Sequence, residues 1–181
     1  IMFHELIQSR RSIRKFQDKP VESDTIDRLV EAALRAPSSR SLNPWEFIVV
    51  TDNDLLKTLA ACKPHGASFL KGAPLGIVVL ADPNRCDVWI EDASIASIFI
   101  HLAAESLGLG SCWIQIRERQ HSDGRTAEQY VAEALGIPGH LRVEAIIAIG
   151  YPTERKAGHP QSSLQYDKVF FNSYGSGYPR P

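Results

Sequence analysis

The chain has 181 residues, 44% of them hydrophobic, with 20 basic and 21 acidic side chains for a formal net charge of -1. That is enough to bury a core in a single domain, expected to span residues 1–181, and the lack of a basic excess argues against nucleic acid as a partner. Cys62, Cys86 and Cys112 form no CxxC pair, which argues against a secreted disulfide framework and for a reducing cytoplasm. No charged-then-apolar leader is visible. The longest apolar stretch, residues 93–109, is broken by Ser94, Ser97, His101, Glu105 and Ser106, so no membrane span of about 20 apolar residues is expected.

In chain order, residues 3–9 read as a short helix ending at a run of arginines. Ser23 suits an N-cap for a helix over 24–35, whose Ile26, Leu29, Val30, Ala33 and Leu34 follow helical spacing. Residues 36–44 form a loop rich in Ser, Pro and Asn. A strand is expected over 46–51, a helix over 53–61, and a second strand over 75–81 after Pro74. Residues 89–107 form a long helix, apolar on most sides, that Gly108 stops. Such a helix is buried, either as the central core helix or as part of an intimate dimer interface. A strand over 111–116, a helix over 126–135 closed by Gly136, and a strand over 143–149 follow. From Tyr151 the Pro-, Gly- and Ser-rich chain reads as an extended arm, and an arm needs a surface to lie on. Continuous apolar strands alternating with helices give an α/β or α+β sheet covered on both faces.

Several chemistries are missing. There is no GxxxxGK[ST] loop and no HExxH helix. Gly108-Leu109-Gly110-Ser111-Cys112-Trp113 starts like a dinucleotide fingerprint. However, Trp113 replaces the third glycine, and the turn opens a strand instead of a helix. His4, His65, His101, His121, His140 and His159 show no ligand spacing with the cysteines, so no metal site is expected. A Cys112–His101 nucleophilic pair stands beside the commoner reading of an inert buried thiol.

Three segments carry positive signals. Arg10-Arg11-Ser12-Ile13-Arg14 places three guanidinium groups and a hydroxyl within five residues. Their forked donors match phosphate oxygens, although a cationic run also suits a helix end. Pro37-Ser38-Ser39-Arg40-Ser41-Leu42-Asn43-Pro44-Trp45 can present amides and hydroxyls to a polar ligand edge, or serve as an ordinary turn. Gly108 to Arg117 brings backbone close and then delivers a strand, which a helix stop and a core strand would also explain.

The order and spacing of these segments resemble the nitroreductase family of flavoproteins over essentially the whole chain. The resemblance rests on the RRSxR-like run (Arg10, Arg11, Ser12, Arg14), a PSSxxxxPW-like segment (Pro37, Ser38, Ser39, Pro44, Trp45) and the strand Phe47-Ile48-Val49-Val50. It continues through Ala73-Pro74 with its strand, Gly108 to Trp113, Ala148-Ile149-Gly150-Tyr151-Pro152 and Tyr166-Asp167-Lys168-Val169.

The resemblance implies an α+β fold: a mixed central sheet flanked by helices, and a C-terminal arm over about 151–181 extending onto the partner subunit. It also implies a homodimer with FMN at the interface. Arg10, Arg11, Ser12 and Arg14 would hold the phosphate and ribityl chain. Pro37, Ser38 and Ser39, with Ser41 and Asn43, would approach the flavin from the partner. Gln115 and Ile116 lie where relatives place backbone amides near the reactive ring nitrogen, in place of the Glu-Gly of many relatives. A basic residue on the phosphate would come from Arg155, Lys156 or His159. The implied activity is transfer of reducing equivalents from NADH or NADPH, through flavin, to a nitroaromatic or quinone-like acceptor by a ping-pong mechanism. No side chain acts as the catalytic group. Flavin reductase, dehydrogenase, reductive dehalogenase, flavin-cleaving and non-catalytic redox-module readings share the fold. The short loops 63–70 and 117–126 are the candidate lids.

Overall fold

The computed structural model describes residues 2–179. The chain runs α1 (Phe3–Ser9), α2 (Ser23–Leu34), β1 (Trp45–Val50), α3 (Asn53–Ala60), β2 (Leu75–Ala81), α4 (Trp89–Ser106), β3 (Gly110–Gln115), α5 (Ala127–Leu135) and β4 (Arg142–Gly150). The strands form one sheet in the order β1-β2-β4-β3, and every neighbouring pair is antiparallel. The expected mixed sheet is therefore antiparallel in all four strands, and the parallel pairing among the described residues is an isolated bridge between Ser12 and Ser111. Fully apolar strands usually signal a parallel sheet. Here helices cover both faces of an antiparallel one, so both faces need apolar side chains.

The period-2 alternation of β4 shows the two cores directly. Ile146 and Ala148 join Val78, Leu80 and Ile114 beneath α3 and α5. Ile147 and Ile149 join Ile77 and Val79 beneath α2 and α4. At Val79/Leu80 the β2–β4 register shifts, so that Val79 faces Ala145 and Leu80 faces Val143, leaving Glu144 as the extra residue of a bulge.

Helix boundaries follow local chemistry. Ser23 is the first residue of α2 and Glu22 occupies the N-cap, one position earlier than the sequence suggests. Thr126 caps α5 in a reciprocal capping box with Gln129. Gly136 ends that helix with φ 65°. In α4 the small residues Ala93, Ala96 and Ala104 let the helix lie close on the sheet. Its opposite face exposes Ile95 and Ile98, so only one side of this apolar helix is covered.

From residue 151 the chain holds two short 3-10 turns, Gln161–Ser163 and Tyr166–Lys168, and presents Leu164, Phe171 and Tyr174 to solvent. Among the described residues no helix is long and apolar enough to cross a membrane. The three cysteines are free, buried thiols.

Candidate functional site

The segment that follows α1 lies along the outer edge of β3. Ser12 bridges Ser111, and the Ile13 amide donates to the Ser111 carbonyl at 3.0 Å. Gly110 makes this approach feasible, because a Cβ there would stand 2.7 Å from the Ile13 side chain. The chain beyond β4 returns along the other side of the segment. Thr153 donates to the Lys15 carbonyl at 3.0 Å and Gln17 to the Tyr151 carbonyl at 2.8 Å. The Arg-Ser run is thus held between strand β3 and the start of the C-terminal arm.

This return places Lys156 in the cluster. Its Nζ donates to the Ser12 carbonyl at 2.7 Å and lies 3.2 Å from Glu154. The Glu154 carboxylate accepts the Arg14 amide at 2.7 Å, and that bond, followed by Lys156, holds its carboxyl below the usual range. Arg10 and Arg14 make no ion pair with any described residue, and the Arg14 guanidinium sits 5.7 Å from the centre of the Phe69 ring. Arg11 turns away and donates to the Ala157 carbonyl. Cys112 is pushed up by burial, while Arg14, Ser12, Lys156 and Arg10 pull it the other way.

Arg10 and Ser12 also line a cavity of about 300 Å³ with Ser94, Ile98, His101 and Trp113. His101 is buried, with Nδ1 2.7 Å from the Ser111 hydroxyl. Burial, helped by the Arg10 charge, lowers its pKa to about 4, so the ring stays neutral at pH 7. Its partner is therefore Ser111, and no Cys112–His101 bond forms. Two larger clefts, each about 710 Å³, lie elsewhere. One is beside Phe16 and Lys71, and the other is between α1 and the arm near His159. In the first, Lys57 is already paired with Asp54.

At the far end of β3 the ladder separates the two predicted amides. Ile116 and Arg117 both donate to the Glu144 carbonyl, at 3.2 and 3.1 Å. Alternation in an antiparallel ladder turns Ser111, Trp113 and Gln115 toward the opposite, outer edge, as the Ser111–Ile13 bond shows. The Gln115 amide therefore faces the edge that carries the Arg-Ser run. Its side chain is fixed, accepting from Trp113 Nε1 at 2.9 Å and donating to the Arg117 carbonyl at 2.9 Å.

Pro37, Ser38, Ser39, Ser41 and Asn43 gather at the other end of α4. The Ser38 hydroxyl accepts the Asn43 amide at 3.0 Å and donates to Asn43 Oδ1 at 2.6 Å. Arg40, Ser41 and Asn43 all take left-handed φ values, 53°, 53° and 46°. The Ser39 amide donates to Asp92 Oδ1 at 2.8 Å.

The fold thus joins Arg10, Ser12, Arg14, Lys156 and Gln115 on one edge and leaves the 37–43 loop apart. Arg155 is exposed and His159 lines a different cleft. Sequence reasoning missed Asp92 and the placement of Lys63. Lys63 lies near Arg119 and Cys112 and is pulled down by burial and then by Arg119. His121, in the second candidate lid, has Nδ1 3.1 Å from the carbonyl of Cys62, the residue before the first, and stacks on Tyr130. No spacing marks these residues; only the packing of the two loops brings them together.

Comparison with known proteins identifies the family. An FMN-dependent nitroreductase from Clostridium difficile R20291 superposes with TM-score 0.92 at 50% identity, over 93% of this chain and 98% of that one. A protein of Archaeoglobus fulgidus named for NADH dehydrogenase and NAD(P)H nitroreductase is 36% identical, over 84% of this chain and 86% of its own length. The FMN reductase [NAD(P)H] of Bacillus subtilis is 28% identical, over 93% and 76%. Residues 7–63 and 59–151 match the Nitroreductase family, and the chain belongs to that family.

Proposed function

We propose that this chain is an FMN-dependent oxidoreductase that carries reducing equivalents from NADH or NADPH to an electron-poor acceptor of nitroaromatic or quinone type. One observation carries the reading. Arg10, Ser12, Arg14 and Lys156 converge at the start of β3, and the outward amide of Gln115 lies about 13 Å further along the same edge. This arrangement fits a ligand with a phosphate at one end and a hydrogen-bonding ring at the other.

The residues present fit FMN. Arg10 and Arg14 are cations without an anionic partner among the described residues. Lys156 adds a third positive charge at the Ser12 carbonyl, against the single negative charge of Glu154. A phosphate dianion would balance the excess. Of the two strand-end amides, Gln115 is the donor with a free edge, since Ile116 is engaged by Glu144. When bound, FMN supplies the two-electron chemistry that protein side chains lack. The chain's own residues bind and orient: guanidinium and ammonium groups fix one end, and the Gln115 amide holds a hydrogen bond at the other. Donor and acceptor would use the same open face in turn, which is the basis of a ping-pong mechanism.

The 37–43 loop supports a homodimer. It is anchored at Asp92, whereas the Arg-Ser run is anchored near Glu105, which accepts the Ser9 hydroxyl at 2.8 Å. Thirteen residues of α4 separate these anchors, about 20 Å. A two-fold axis crossing α4 near Ile98 would exchange its ends. Each loop would then lie beside the other copy's Arg-Ser run, and exposed Ile95 and Ile98 would be covered. Pro37, Ser38, Ser39, Ser41 and Asn43 would complete the site across that interface, with the arm over the second copy.

The test is an absorbance spectrum of purified protein, mass spectrometry of the released cofactor, and initial rates against NADH, NADPH and a quinone. A yellow dimer releasing FMN, with parallel double-reciprocal lines, is expected. Protein that is colourless and stays so after FMN is added overturns the reading.

A further inference from the structure

We propose that Asp92 is a positioning residue, which sets the 38–43 loop for its contact with flavin across the dimer interface; this rests on the FMN reading above. Asp92 is 2% exposed in the first turns of α4 and does not line the cavity beside the Arg-Ser run. It acts on the loop. One oxygen accepts the Ser39 amide at 2.8 Å and the other accepts the Cys86 thiol at 3.2 Å. No cation pairs with it among the described residues, so this buried carboxylate is compensated by those two donors.

The loop needs an external hold. Three consecutive-region residues, Arg40, Ser41 and Asn43, adopt left-handed backbone angles that side chains disfavour. The internal Ser38–Asn43 bonds close the loop on itself but do not orient it on the body of the protein. The 82–92 turn does. Asp92 takes the Ser39 amide, Arg85 Nη2 donates to the Leu42 carbonyl at 3.3 Å, and Arg40 pairs with Asp87. Of these three, two are exposed, and the Asp92 contact is the one shielded from solvent in part. It also ties the loop to the helix that supports the Arg-Ser run, through Ser9–Glu105 and the His101 cavity. Helix α4 thus fixes the spacing between the two halves of the site, and Asp92 is where the loop is attached to it.

The test compares Asp92→Ala, Asp92→Asn, Ser39→Ala and Ser39→Pro with the unaltered protein. FMN affinity is read by fluorescence quenching, and the bound flavin's setting by its visible circular dichroism. Asparagine keeps an acceptor for Ser39. Proline removes the amide donor and fixes φ, which suits the first position of the Ser39–Ser41 turn, and Ser38 is already extended (φ −135°, ψ 157°), as a following proline requires. Asp92→Ala is expected to weaken FMN at least tenfold with an altered dichroism band, Asp92→Asn to stay within threefold of the parent, and Ser39→Pro to bind at least tenfold more weakly than Ser39→Ala. The last pair decides the matter if Asp92→Ala does not fold. Parental affinity in Asp92→Ala, loss in Asp92→Asn equal to that in Asp92→Ala, or equal affinities for the two Ser39 variants would each overturn the role. Failure of the unaltered protein to bind FMN would overturn the FMN reading instead.

Discussion

The Arg-Ser run and the 38–43 loop sit at opposite ends of α4 and are built on opposite principles. The run is held by its backbone, through Ser111 on one side and Tyr151 and Thr153 on the other, and Arg10 and Arg14 are left without an ion pair among the described residues. The loop spends its polar groups internally and on the 82–92 turn, so that Ser38, Asn43, Arg40 and the Ser39 amide all have partners. One end therefore holds unspent charge and the other holds fixed shape. A charged ligand needs both, and in the proposed dimer a second copy would join what one helix keeps apart.

The largest way to break this pairing is to keep the copies apart. Ile95→Glu would place a carboxylate on the exposed apolar face of α4, off the cavity that Arg10 lines. Burying it unpaired should cost on the order of 3 kcal/mol or more of dimerisation. Sedimentation is expected to show a monomer, and that monomer should lose its flavin absorbance. A yellow monomer would show that one chain completes the site alone.

His101 sharpens the comparison at the run's end. Its pKa is about 4 in the fold against 6.5 for an open chain. Between those values the unfolded chain binds a proton that the folded chain does not, so stability falls as pH falls through that window. The full effect is on the order of 3 kcal/mol. Urea titrations from pH 7 to pH 4 should show the loss, and His101→Gln should flatten it. Equal slopes for the two proteins would remove His101 as the cause.

Arg14→Ala removes an uncommitted cation, and FMN binding should weaken by roughly 1.5–3 kcal/mol, read by titration. Unchanged affinity would count against the charge-excess account. The smallest effect is expected of Arg40→Ala, whose charge is spent on exposed Asp87. Its FMN affinity should shift less than that of Arg14→Ala, and a larger shift would mean that the loop, too, acts through free charge.

Much of the architecture was legible because core periodicity is local. The bounds of β2 and α1 are as the pattern predicts, and the other elements differ by one or two residues at their ends. Strand direction was not legible. Apolar strands between helices suit parallel and antiparallel sheets alike, and tertiary packing decides between them. Lys156 could not be separated from Arg155 in sequence, because the return of the chain against Lys15 decides which one faces Ser12. The Gln115-Ile116 pair looked equivalent until the ladder turned one amide outward and the bulge at Glu144 took the other. Asp92 resembled any acid near a helix start, since its function depends on a loop more than fifty residues earlier in the chain.

The outer edge of β3 has a consequence for handling the protein. On that outer edge, beyond the bridge at Ser12, no described strand lies beside Trp113 or Gln115; their strand partner, β4, is on the other side. Open strand edges recruit other strands. A cofactor lying along that edge would act as a sheath as well as a reagent. Stripping the flavin should therefore promote self-association, seen as rising light scatter at fixed concentration, and adding FMN back before it sets in should keep the solution clear.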